Sequence, residues 1–234
     1  MCGRFVSARK RLELLEEFAA TRDAVSADRD PDYNVAPTKR IYTVLKHKEA
    51  DERELRLVRW GLVPSWAKQP SIGAKLINAR VETAAEKPAF RRAFERYRCL
   101  IIADGFFEWR RSPGGPKQPF HITRAHGELF SFAGLWSIWH GGDGGTLRTC
   151  TILTTAANSA IAPLHDRMPV ILAAPDESAW LDNSTPAAQL SEILAGLPAR
   201  DTSVTEVGFA VNDARYDGPE CLQAPAPSAQ AALF

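Results

Sequence analysis

No apolar run in this chain approaches the ~18–20 residues a helix needs to cross a bilayer. None of its four cysteines falls in a Cys-x-x-Cys pair. The first absence predicts a chain without a transmembrane helix, and the second argues against a zinc ribbon or a dithiol redox centre. Charge of one sign is missing too. With 29 Lys+Arg against 28 Asp+Glu, the net charge is +1, so the broad basic footprint of many nucleic-acid binders is absent. A polyanion would have to be held by a local cluster of arginines. The N-terminus, Met1-Cys2-Gly3-Arg4-Phe5-Val6, has no apolar core of a secretory signal. The expected compartment is therefore the cytoplasm, where disulfides are disfavoured.

What remains is ordinary globular composition. The 234 residues are 45% hydrophobic and 24% charged, and a chain of that size buries roughly 70–75% of its unfolded surface. Leu12, Leu15 and Phe18 or Ala19 recur at helical spacing over about 8–20, with Ser7 as the predicted cap. The β-prone runs 41–45 and 55–60 flank a charged turn and predict a hairpin. A second helix is predicted over 87–97, with Pro88 in its first turn. Strands are predicted at 99–103, 106–110, 119–123, 129–135, 147–154 and 168–172, helices at about 176–182 and 187–195, and a strand near 203–211. Many short strands with little βαβ alternation predict a single α+β domain over 1–218, its curved, largely antiparallel, barrel-like sheet flanked by helices. Residues 219–234, rich in Ala and Pro, are expected to be a poorly ordered tail.

Four places carry chemistry. Cys2 becomes N-terminal if Met1 is removed, which a small second side chain permits. A terminal cysteine offers an amine and a thiol on adjacent carbons, with reference pKa values of about 7.7–8.0 and about 8.5. Such a pair attacks an aldehyde through nitrogen and closes the imine through sulfur, or its thiol attacks an acyl group. A buried, incidental cysteine is the alternative. Asn78 can orient a reacting amine, and Arg80 two residues on can hold a phosphate, although an Asx turn with an Arg80–Glu82 ion pair explains the stretch equally well. Glu108 sits in an apolar strand, Phe106-Phe107-Glu108-Trp109. If it is buried, desolvation raises its pKa towards general acid/base use; if it faces solvent, it is inert. His165-Asp166-Arg167 combines a proton shuttle with a phosphate-holding fork, or is a capped loop with a local His–Asp contact. Cys99 and Cys150 lie in β-prone runs and are expected as small core residues. The Cys, Glu and His spacing defines no metal site.

In order, Met1-Cys2-Gly3-Arg4-Phe5, Tyr33-Asn34-Val35-Ala36-Pro37-Thr38, Trp60-Gly61-Leu62-Val63-Pro64-Ser65-Trp66, Asn78-Ala79-Arg80-Val81-Glu82-Thr83, Asp104-Gly105-Phe106-Phe107-Glu108-Trp109, Thr154-Thr155-Ala156-Ala157-Asn158 and His165-Asp166-Arg167-Met168-Pro169 resemble one family. It is the SOS-response-associated peptidase (SRAP) family, the abasic-site processing proteins, and the likeness runs from residue 2 to about 215. It implies a DNA-damage-response protein that meets abasic sites in single-stranded DNA and links its N-terminal cysteine to the open-chain aldehyde as a thiazolidine. By motif position Cys2 matches the crosslinking residue, Asn78 its contact, Glu108 the acid/base group and His165 the histidine of sugar opening and reversal. Arg4, Arg80 and Arg167 match phosphate-binding arginines, while Trp66, Trp109 and Pro37 match groups near the strand and flanking duplex. The likeness further implies a monomer without cofactor or membrane association, lyase-like and peptidase-type activity with self-removal of Met1, and residence on the nucleoid when DNA is bound. Two rivals are an N-terminal-cysteine amidohydrolase and a non-catalytic single-strand binding module.

Overall fold

The computed structural model describes residues 2–46, 52–111, 114–142, 144–195 and 198–226. Its strands begin with β1 Phe5–Ser7, β2 Ala20–Asp23, β3 Asp32–Val35, β4 Arg40–Lys46, β5 Arg53–Trp60 and β6 Asn78–Arg80. There follow β7 Arg98–Ala103, β8 Gly105–Arg110, β9 Gln118–Arg124, β10 Phe130–His140 and β11 Thr146–Ala156. The last are β12 Arg167–Pro169, β13 Ile171–Leu172 and β14 Thr202–Glu206. The helices are short: α1 Arg11–Glu17, α2 Val81–Ala84, α3 Arg91–Arg96, α4 Glu177–Leu181 and α5 Ala187–Ile193.

Five strands close on themselves. The antiparallel ladder runs β5–β4–β7–β10–β11. A parallel pairing, Thr149 opposite Arg59 and Cys150 opposite Trp60, joins β11 back to β5. Closure removes the exposed edges that an open sheet would have to protect. A second sheet, ordered β14-β9-β8-β1-β3, is antiparallel throughout.

The period-two alternation of strands divides the barrel residues between two apolar clusters. Tyr42, Val44, Leu100 and Ile102 pack with Leu14, Phe18, Phe90 and Trp180 from the helical layer. Their neighbours Ile41, Ile101 and Ile152 meet Phe5, Phe106 and Ile122 of the second sheet. Phe5, Phe106, Phe130 and Phe132 interlock there at centroid separations of 5.7–6.3 Å, and burying each ring is worth roughly 1.5–3 kcal/mol. Cys99 and Cys150 are fully buried in this cluster, as small core residues should be.

Several expectations need correction. Ser7 ends β1 instead of capping a helix, and the Ala8 N–H donates to Asp104 Oδ2 at 2.7 Å. That tie delays α1 to Arg11, and Ala19, at φ 46°, ends it before β2. The helix predicted over 87–97 is shortened to α3, because Lys87 and Pro88 are spent in a preceding turn. The strand predicted over 168–172 breaks at Val170. There the N–H bonds to Leu153 of β11 while the carbonyl accepts from Ala133 of β10, so the chain switches partners. The strand near 203–211 stops at Glu206, and Phe209–Asn212 is a 3-10 turn. Packing runs past Gly218: Cys221 is fully buried with Val6, Phe107, Val207 and Val211. The rest of the expected tail, 227–234, lies outside the described residues.

One glycine sets how closely β8 meets β9. A Cβ on Gly105 would lie 2.2 Å from His121 Nε2 and 2.8 Å from the Ile122 carbonyl oxygen. Gly105→Ala should therefore cost about 1–3 kcal/mol through overpacking, read as a lower urea midpoint with an unchanged slope. His121 packs at a tilt against Phe107, centroids 5.0 Å apart, and burial lowers its pKa to about 4. The unfolded chain takes up this proton below ~6.5 and the folded one only near 4, so stability is lost as pH falls through that window. His121→Phe should flatten the loss, measured as unfolding free energy at pH 7 and pH 4.5.

Candidate functional site

The pairing of β1 with β8 builds the site. Phe5 lies opposite Phe106, and the Phe107 N–H donates to the Arg4 carbonyl at 3.0 Å. This ladder carries the residues just before β1 alongside Glu108. Parallel pairing of β6 with β11, Asn78 opposite Ile152, brings a third element to the same end. There Asn78 Nδ2 donates to the Cys2 carbonyl at 2.8 Å. The turn between β11 and β12 supplies His165. Four residues that are scattered in sequence thus meet at one end of the two sheets.

Cys2 is fully buried. Burial pushes its thiol pKa well up, with the charge of Glu108 adding to the effect, so the sulfur is held as a thiol. Glu108 is only 3% exposed. It shares the face of Phe106 on β8, which decides between the two readings of this strand in favour of the buried acid. Burial also raises its pKa, with the neighbouring His165 among the opposing influences. The His165 Nδ1 accepts the Arg167 backbone N–H at 2.9 Å. Asp166 Oδ1 stands 2.8 Å from the same nitrogen. A nitrogen that accepts cannot also donate. Nδ1 therefore serves the Arg167 N–H when bare and Asp166 when it carries a hydrogen.

Glu108 and His165 line a cleft of about 820 Å³ together with Arg4, Trp109 and Asn212. Arg4 is half-committed within the fold, since its Nη1 donates to Asn34 Oδ1 at 2.9 Å and the Val211 carbonyl at 3.1 Å. Trp109 Nε1 donates to Asn212 Oδ1 at 2.6 Å. Asn34, fully buried, also shares the two hydrogens of Nδ2 among the carbonyls of Val211, Asp213 and Tyr216, at 3.2, 2.9 and 2.7 Å. It ties β3, and through Arg4 the residues just before β1, to the C-terminal turn that bears Asn212.

The remaining expected residues divide. Arg167 grips Glu82 with both ends of its fork, at 2.6 and 2.8 Å, and donates to the Thr154 carbonyl at 2.5 Å. Glu82 is therefore the partner of Arg167 and not of Arg80. Arg80 is exposed and has no ion pair among the described residues. Trp66 is 59% exposed and lies in a different groove, with Pro88, Arg92 and Tyr97. Pro37 sits half-buried after β3 and does not line the cleft. Arg110, Arg111 and Lys117, which do line it, escaped the motif reading. Their signal was the basic pair following Glu108-Trp109. Among the described residues no three His, Cys, Asp or Glu side chains converge as a metal site, and no helix is long and apolar enough to cross a membrane.

Fold and site together define a two-sheet protein whose penultimate N-terminal cysteine is buried against an acid–base cleft. Comparison with known proteins gives that class a family. The family model for SOS response associated peptidase (SRAP) matches residues 1–214, and the chain belongs to that family. It is 39% identical over 224 residues to the abasic site processing protein YoqW of Bacillus subtilis, covering 95% of this chain and 99% of that protein. It is 36% identical over 231 residues to YedK of Escherichia coli, at 95% and 99% coverage, a protein likewise named for abasic site processing. Its likeness to the abasic site processing protein HMCES of Xenopus tropicalis is 34% over 234 residues, 87% of this chain and 69% of that one. A crystal structure of a Bacteroides thetaiotaomicron protein superposes with a TM-score of 0.84 at 25% identity, covering 95% of this chain and all of the other.

Proposed function

We propose that this chain processes abasic sites in single-stranded DNA by joining Cys2, once Met1 is removed, to the ring-opened sugar. The observation that carries this reading is a fully buried Cys2 whose carbonyl is held by Asn78 beside the buried acid Glu108. An abasic sugar must open before it reacts. Opening moves the proton of the C1′ hydroxyl away and delivers one to the ring oxygen. Glu108, its pKa raised by burial, and His165 are the groups suited to this exchange. The α-amine of Cys2 then attacks C1′, one water leaves, and an imine remains. The thiol adds across that C=N bond, sulfur to carbon and hydrogen to nitrogen, closing a thiazolidine without any change of oxidation state. Reversal follows the same steps backwards.

Arg80, the cleft-facing edge of Arg4 and Trp109 hold the strand in this reading, while Arg167 reaches a phosphate only by leaving Glu82. Trp66 and Pro37 meet the flanking nucleotides outside the cleft. The protein acts as a monomer in the cytoplasm and sits on the nucleoid while bound. Removal of Met1, by the chain itself or by an aminopeptidase, precedes the chemistry. The test is incubation with an abasic single-stranded oligonucleotide, its undamaged counterpart and a glutamine amide, followed by heating. A heat-stable adduct with the abasic strand alone is expected. Amide hydrolysis without an adduct would favour the amidohydrolase, and salt-sensitive binding of both strands without an adduct would favour a passive binding module.

A further inference from the structure

The charge of this protein is unevenly spent. Over the whole chain cations and acids nearly cancel, yet the Glu108 cleft is lined by Arg4, Arg110, Arg111 and Lys117 against that one buried acid. Three of these four cations belong to one arm, the end of β8 and the entry to β9. Arg110 lies over the Phe120 ring at 4.8 Å, with Glu206 no nearer than 3.9 Å. Arg111 and Lys117 are exposed and have no ion pair among the described residues. Between this arm and Glu108 stands Trp109, its indole fixed by Asn212.

We propose that this arm is a second strand-holding subsite, in which Arg111 and Lys117 take backbone phosphates of single-stranded DNA running out of the cleft past Trp109. The proposal rests on the single-stranded DNA reading above and extends it to residues outside the family-like motifs. Three arguments support it. Aromatic faces interleaved with cations along a groove suit single-stranded nucleic acid, because bases stack while the backbone is neutralised. Uncompensated cations facing one cleft have a self-repulsion that an incoming phosphate relieves. Two of the three arginines first expected to bind phosphate are committed inside the fold, Arg167 to Glu82 and Arg4 to Asn34, which leaves Arg80 as the uncommitted one of that set and makes a weak clasp.

The experiment is the salt dependence of binding to an undamaged single-stranded oligonucleotide, for the full chain and for Arg111→Gln/Lys117→Gln. Each neutralised phosphate on a single strand contributes a slope of about −0.7 in log affinity against log salt. The double variant should flatten the slope by about 1.4. Between about 50 and 200 mM salt, the parent then loses roughly sevenfold more affinity than the variant. Lys10→Gln/Arg200→Gln, exposed cations outside the cleft, removes the same charge and should leave the slope unchanged. Equal flattening by both pairs would reduce the effect to net charge and overturn the proposal. So would an unchanged slope in the arm variant, or an arm-dependent slope on duplex but not on single-stranded DNA. This binding measurement needs no lesion, so its failure is distinct from a failure of the covalent chemistry.

Discussion

With Met1 retained, or with any residue placed ahead of Cys2, the protein is expected to form no heat-stable adduct with an abasic strand. The thiol is still present in such a variant, but its nitrogen is an amide. An amide nitrogen has its lone pair delocalised into the carbonyl and does not form an imine with an aldehyde. Cys2→Ser makes the complementary change. Its α-amine still condenses, but a hydroxyl closes a much weaker ring than a thiol, so the expected product is a labile imine trapped by borohydride and lost on heating. Both variants should keep single-strand affinity, because the cations of the cleft are untouched. A thiol acting by acyl transfer would tolerate the lost amine, and a binding module would ignore both changes. Intact-mass measurement of heated mixtures separates the three.

Glu108→Gln should slow adduct formation and reversal by roughly 10²–10⁴, the usual worth of a positioned general acid/base. Gln preserves the shape in a site where Glu108 is 3% exposed, and it carries no charge to repel the strand, so affinity should hold or rise. The pH profile adds a sharper test. Burial raises the Glu108 pKa, so its acid form survives above the ordinary glutamate value near 4.3. The rate of the acid-dependent step should fall as pH rises through that elevated value. In Glu108→Gln this limb should disappear, leaving a slower profile set by other groups. A parent-like rate and profile would mean that the carboxyl is only a buried structural group.

The parts of this protein legible in the sequence were those with local causes. The β4–β5 hairpin follows from alternation about a charged turn, and strands β7 to β11 follow from long β-prone runs with Gly and Pro between them. Four short strands, β1, β2, β3 and β6, were not predicted. Each has three or four residues, too few for a period to register, and each forms because a distant strand offers an edge. The parallel β11–β5 seam that closes the barrel is equally non-local. The site divides in the same way. Motifs located Cys2, Asn78, Glu108 and His165, but burial of Glu108 depends on the face it shares with Phe106, which alternation within an all-apolar strand left open. The Arg167–Glu82 fork spans 85 residues and could not be read locally. Arg111 and Lys117 belong to no motif, and only the folded cleft brings them together.

The most direct test of the central claim is the intact mass of the unmodified protein after reaction with an abasic single-stranded oligonucleotide and heating. The expected species has the mass of the chain without Met1 plus the oligonucleotide minus one water, and borohydride leaves it unchanged because the imine is already closed by sulfur. An adduct that still contains Met1, one that maps by peptide sequencing to a residue other than Cys2, or no covalent species at all would contradict the account.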